Sequence, residues 1–208
     1  FGIEGRVVEV EVDLIPALSS FVISGLPGKG IREARERIRS ALENSGFRYP
    51  DRHRIVINLA PASWHKDGAA FDLPIAISIL AASGQIAPEF LAGWAVLVEL
   101  ALDGRVRSVA GCLGIIARLR RSTARSVMVP ASNHSLASAV EGIEVVGVST
   151  LQQALEVLRG ARTDPPAADS DEAIDPEETF QDLADVRGHA QARRVLEIAA
   201  TGEHSLLM

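Results

Sequence analysis

Residues 54–83, RIVINLAPASWHKDGAAFDLPIAISILAAS, decide the fold. RIVINLAP (54–61) is short, β-branched and closed by proline, the pattern of a strand. FDLPIAISILAAS (71–83) reads as a buried helix, with Pro74 near its first turn, where a missing N–H costs least. Between them, HKDGAAFDLP (65–74) sets Asp67 and Asp72 around a turn of small residues. Paired carboxylates can do acid–base work, but no partner for them is evident. Capping the helix that follows is the simpler role for Asp72.

Outward from this unit, VVEVEVDLI (7–15) alternates apolar and acidic residues at period two, and SSFVISG (19–25) follows a turn at Pro16. The pair predicts a hairpin. The helix expected from Ile31 to Asn44 places Ile31, Ala34, Ile38, Ala41 and Leu42 on one stripe. WAVLVELAL (94–102) and RVRSV (105–109), joined at Asp103-Gly104, predict a second hairpin. Helices near 111–121, 132–139 and 150–159 alternate with strands at 126–130 and 143–148. This order predicts an α/β (α+β) sandwich with a mixed sheet, not a doubly wound parallel one.

Residues 161–178 change texture, with three prolines and seven acidic residues against one arginine, and read as a solvated linker. Residues 1–160 are then one domain carrying 17 basic and 16 acidic residues, while 161–208 carry 4 and 11. The overall charge of −6 therefore belongs to the tail and does not repel the main domain from an anionic partner. An amphipathic helix is expected at 189–201, with a buried strand beginning after Gly202. No apolar run approaches the roughly 18 residues of a membrane helix. The single cysteine, Cys112, fits a reducing, cytoplasmic setting and reads as a buried small residue. An opening at Phe1 and a stop inside HSLLM suggest a piece of a longer chain.

The glycine-rich turn Gly25-Leu26-Pro27-Gly28-Lys29-Gly30 invites a phosphate-loop reading, and the spacing refuses it. Gly28-Lys29 is followed by Gly30 rather than Ser or Thr, and Ile23 stands where the first Walker glycine belongs. The dinucleotide pattern fails as well. The helix behind the turn carries Arg32, Arg35 and Arg39, a row that could meet DNA phosphates or a neighbouring subunit. Glu33, Glu36 and Glu43 on the same helix offer those arginines local partners instead. His53, His65 and His134 show no metal-ligand spacing.

Three ordered stretches, ISGLPGKGIREARERIRSALENSGFRYP (23–50), INLAPASWHKDGAAFDLPIAISILAASGQI (57–86) and ELALDGRVRSVAGCLGIIA (99–117), carry a resemblance. They look like the N-terminal domain of the competence-associated, magnesium-chelatase-like AAA+ family, the ComM/YifB type. DLADVRGHAQARRVLEIAATGEHSLLM (182–208) resembles the start of that family's AAA+ module, making 179–208 its truncated beginning. The resemblance implies a ribosomal protein S5 domain 2-like fold, shared with Lon-type proteolytic domains. Aligned on Lys66-Asp67-Gly68, the Lon serine position falls at Ala70 and the Lon lysine position near Ile115, so the Ser–Lys dyad is absent. It further implies a parent that is a hexameric, DNA-acting ATPase using ATP and Mg²⁺, serving branch migration in recombination and natural transformation. No cofactor or metal is expected in these 208 residues themselves. The implied function is a silent accessory or assembly domain. A peptidase with a rearranged site around Asp67 and Asp72, or a purely structural oligomerisation module, are the alternatives.

Overall fold

The computed structural model describes residues 6–66, 68, 70–109, 111–120, 122–161 and 190–202. The chain divides into two compact units, Phe1–Asp169 and Ser170–Met208. The first is a mixed α/β assembly of three small sheets with packed helices.

The first sheet holds β1 (Glu9–Pro16), β2 (Ser20–Ser24) and β3 (His53–Ala60) in the order β1-β3-β2. The expected hairpin between the first two strands does not form. β3 inserts between them, antiparallel to β1 and parallel to β2. The reason is burial. Ile55, Ile57 and Leu59 of β3 are fully buried, so the most apolar strand takes the centre. β1 exposes Glu9, Glu11 and Asp13 along one face, the charge that suits an edge strand.

The helix expected over 31–44 is interrupted at Glu33, giving α1 (Lys29–Arg32) and α2 (Ala34–Asn44). Its apolar stripe holds: Ile31, Ala34, Ile38, Ala41 and Leu42 are all buried. α3 (Asp72–Ala82) buries Leu73, Ile75, Ala76, Ile77, Ile79 and Leu80, as a helix apolar all round must. Each such Ile or Leu contributes about 1.5–3 kcal/mol when taken from water.

The run 94–102 is not one strand. β4 (Trp94–Val96) pairs in parallel with β7 (Ser126–Pro130), and β5 (Glu99–Leu100) pairs antiparallel with β6 (Val106–Arg107) across the expected Asp103-Gly104 turn. The run, apolar but for Glu99, has no alternation to hold it to one face. Here it leaves one core for another: Leu97 packs with Cys112, Ile116 and Val127, while Val98 and Leu100 join the main cluster. β8 (Glu144–Val148) completes a parallel sheet of order β4-β7-β8. Among the described residues the expected mixed sheet is β1-β3-β2, and a parallel sheet and a two-stranded antiparallel one stand separate from it. α4 (Cys112–Leu119), α5 (Ala131–Ala137) and α6 (Leu151–Leu158) fall where periodicity placed them. In the second unit, α7 (Ala190–Thr201) matches the expected helix, and Val195 and Ile198 on it remain exposed. The strand anticipated after Gly202 lies outside the described residues.

Candidate functional site

Residues 60–66 return from β3 and dock beside the glycine-rich turn. Pro27 and Lys66 form a parallel bridge, with the Gly28 amide donating to the Lys66 carbonyl at 2.7 Å and the Lys66 amide to Leu26 at 3.1 Å. Gly25 makes this approach possible. Its φ is +91°, and a Cβ there would stand 2.1 Å from the Leu59 carbonyl oxygen. The turn thus packs against the returning segment, with the Gly28 amide and the Leu26 and Gly25 carbonyls engaged by Lys66.

Lys66 is 1 % exposed, a rare state for a lysine. Its ammonium donates to the carbonyls of Gly25, at 2.9 Å, and of Pro61, and lies 4.7 Å from the Trp64 ring centroid. Two carbonyls and an aromatic face satisfy the charge. Arg6 lies 5.5 Å from the same ring. Asp67, next in the motif, lies outside the described residues, and Gly68 is exposed with φ +101°.

Asp72 does not cap its helix. Phe71 occupies the cap position with no side-chain bond, and the Asp72 carboxylate is buried instead. Arg37 of α2 grips it in a two-pronged pair, Nε to Oδ2 at 2.7 Å and Nη2 to Oδ1 at 3.0 Å, while Nη2 also donates to the Gly30 carbonyl. Burial pushes the Asp72 carboxyl above the usual aspartate range, and the Arg37 guanidinium holds it back down. The Arg37 guanidinium is itself raised, first by its hydrogen bond to Asp72. A carboxylate so paired ties α3 to α2. The sequence reading passed over Arg37. Its signal was a charge within the apolar stripe, three residues after Ala34 and four before Ala41, where only a buried partner would accept it.

The row Arg32, Arg35 and Arg39 divides on folding. Arg39 is engaged by Glu43 at 3.0 Å and Asp51 at 3.1 Å and lies over Tyr49. Arg35 is half-buried and lies 3.7 Å from Glu36. Arg32, on the short helix α1, is exposed. Nearby, Lys29 makes a long 3.8 Å pair with Glu33.

A groove of about 1450 Å³ runs beside the Lys66 loop. Ala70 and Ile115 both line it, and both pack against the cluster of Leu97, Cys112, Ile116 and Leu119. These two positions, 45 residues apart in sequence, thus line the same groove and pack on the same cluster, and both carry only hydrocarbon. Cys112 is buried. Among the described residues no group of His, Cys, Asp or Glu could hold a metal ion, and no helix is long and apolar enough to cross a membrane.

Comparison with known proteins gives these observations a context. The family profile described as subunit ChlI of Mg-chelatase matches residues 10–133, and that of magnesium chelatase, subunit ChlI, matches residues 182–208. The competence protein ComM of Haemophilus influenzae is 38% identical over 209 residues, covering 99% of this chain and 41% of its own length. The uncharacterized protein YifB of Escherichia coli is 37% identical over 210 residues, covering 100% and 40%. Lon protease 2 of Bacillus subtilis is 25% identical over 171 residues, covering 74% and 30%. The chain thus spans about two fifths of the length of the ComM and YifB relatives it matches.

Proposed function

The chain belongs to the family of magnesium chelatase subunit ChlI and its relatives, and from that premise we propose that residues 1–160 are a non-catalytic, Lon-like accessory domain of a DNA-acting AAA+ ATPase. The observation that carries this reading is the pairing of Ala70 and Ile115 on one groove. In this reading Ala70 stands at the place of a Lon serine and Ile115 near that of its lysine, and they supply neither nucleophile nor base. Similarity to a Lon protease over 171 residues supports an S5 domain 2-like ancestry for the unit. Occupation of Asp72 by Arg37 argues against a rearranged hydrolase.

In this reading the region matching at 182–208 opens the motor module, and ATP and Mg²⁺ act in the longer protein. The similarity to a competence protein favours DNA as the substrate, with branch migration in recombination as the task. The motor works as a hexameric ring, and the exposed base Arg32, with Lys29 beside it, meets DNA or the next subunit. The test is ATP hydrolysis by the full-length protein with and without DNA, compared with a variant lacking residues 1–160. Retained basal hydrolysis with loss of DNA stimulation or of ring assembly is expected. Full DNA coupling and assembly in the truncated protein would overturn the reading.

A further inference from the structure

The groove carries positive charge that the arginines of α1 and α2 do not supply. Residues 118–125 read RLRRSTAR, four arginines without an acid. Arg118, Arg120 and Arg125 are exposed, and Arg121 lies outside the described residues. Arg125 lines the groove itself. Arg118 stands four residues after Gly114 and three after Ile115, which also line it, so helical spacing puts it on the same face of α4. Arg6 is a further exposed cation of the lining, 5.5 Å from the Trp64 ring centroid. Among the described residues Glu9 is the one acid there.

The loop that presents Arg125 is held in place. Ser122 Oγ donates to the Leu119 carbonyl at 2.7 Å and accepts from the Ala124 amide at 3.2 Å, and the Arg125 amide donates to the Gly93 carbonyl at 2.8 Å. The stem of Arg125 passes over Gly93, where a Cβ would stand 3.7 Å from its Cγ and Cδ. A guanidinium positioned in this way loses little freedom when it meets an anion. The rest of the lining is mainly hydrocarbon and ring, with Phe71, Leu91, Trp94 and Ile115 among it. The volume of about 1450 Å³ exceeds the roughly 300–1,000 Å³ of ordinary small-molecule pockets, which favours an extended occupant.

Resting on the DNA-acting reading above, we propose that this groove binds a single strand of nucleic acid, with phosphates on Arg6, Arg118 and Arg125 and bases against the apolar lining. A single strand offers regularly spaced anions and, once unstacked, the flat apolar faces of its bases, so it uses cations and rings together. A duplex keeps its bases stacked inside and could use the arginines alone. The chemistry therefore selects the single strand, at a place in the fold distinct from Arg32 of α1.

The test titrates full-length protein against a labelled oligothymidylate and a labelled duplex of equal length, over a range of salt. Arg118→Gln combined with Arg125→Gln is expected to weaken oligothymidylate binding about tenfold and to flatten its salt dependence by about 0.7 of a unit of slope per lost phosphate contact, with duplex affinity changed less than about twofold. Ala70→Trp fills the groove and leaves the charges in place, so affinity for oligothymidylate should fall while the salt slope stays. A photo-reactive p-benzoyl-phenylalanine replacing Thr123, which lines the groove, should link to the bound oligothymidylate. Unchanged affinity in both variants, or no link from Thr123 while oligothymidylate is bound, would overturn the proposal. Polyglutamate displacing the labelled strand as well as unlabelled oligothymidylate does would also overturn it, by revealing a surface for acidic chains in general. If duplex still binds and stimulates ATP hydrolysis, the DNA-acting reading survives that failure; if neither nucleic acid binds, both fall.

Discussion

Gly25 carries a larger share of this fold than its size suggests. The Leu59 carbonyl lies 2.1 Å from where its Cβ would be, and its φ of +91° is one L-residues rarely adopt. Gly25→Ala must push the turn away from β3 and is expected to cost about 2–4 kcal/mol, from overpacking and backbone strain together. Urea unfolding measures this, and a loss below about 0.5 kcal/mol would contradict the contact. The Arg37–Asp72 pair gives a second test at this scale. Because burial raises the Asp72 carboxyl, its carbon-13 titration should have a midpoint above the ordinary aspartate value. The linkage sign follows: Asp72 favours the folded state most below its unfolded pKa, and that contribution fades as pH rises through the higher folded value. Arg37→Met removes the group holding the carboxyl down, so the midpoint should rise further. Stability at neutral pH should fall by about 2–4 kcal/mol, somewhat less than for a fully enclosed pair because the guanidinium keeps some solvent contact. An unmoved midpoint would show that the pair does not form in solution.

At the scale of elements, the apolar stripe of α2, the buried α3 and the apolar centre of β3 were legible because each rests on local periodicity. The pairing of strands was not. Whether a strand lies at the centre or edge depends on which other strand is more apolar, a comparison across more than 30 residues that no window contains. The split of 94–102 was hidden for a related reason, since a run apolar but for Glu99 says only that it is buried, not in which of two cores. The arginine row shows the same limit: spacing placed three charges on one helix, while Asp51 and Tyr49, which engage Arg39, come from the following loop. Of that row, Arg32 on α1 alone therefore carries the nucleic-acid prediction. Arg32→Glu in the full-length protein should weaken DNA binding and flatten its salt dependence by about one unit of slope, with the melting temperature unchanged. Equal affinity and slope would remove α1 from the interface.

Across the whole molecule, the site was legible only through resemblance. Neither Ala70 nor Ile115 announces a role by chemistry, and nothing in their spacing says that they share a groove. Conversely, two polar residues of the HKDGAAFDLP stretch are consumed by the fold. Lys66 holds two carbonyls and Asp72 holds an arginine. On the proposed reading, a Lon-like domain without the dyad can still present surfaces, order a ring and couple it to a track, and such uses need no reacting group. The most direct measurement is a digest of unfolded protein and a mixed peptide library by the full-length protein with ATP, read by mass spectrometry. The account predicts no cleavage above the buffer control while ATP is hydrolysed. Reproducible cleavage that follows the protein through purification and is lost when residues 1–160 are removed would contradict it.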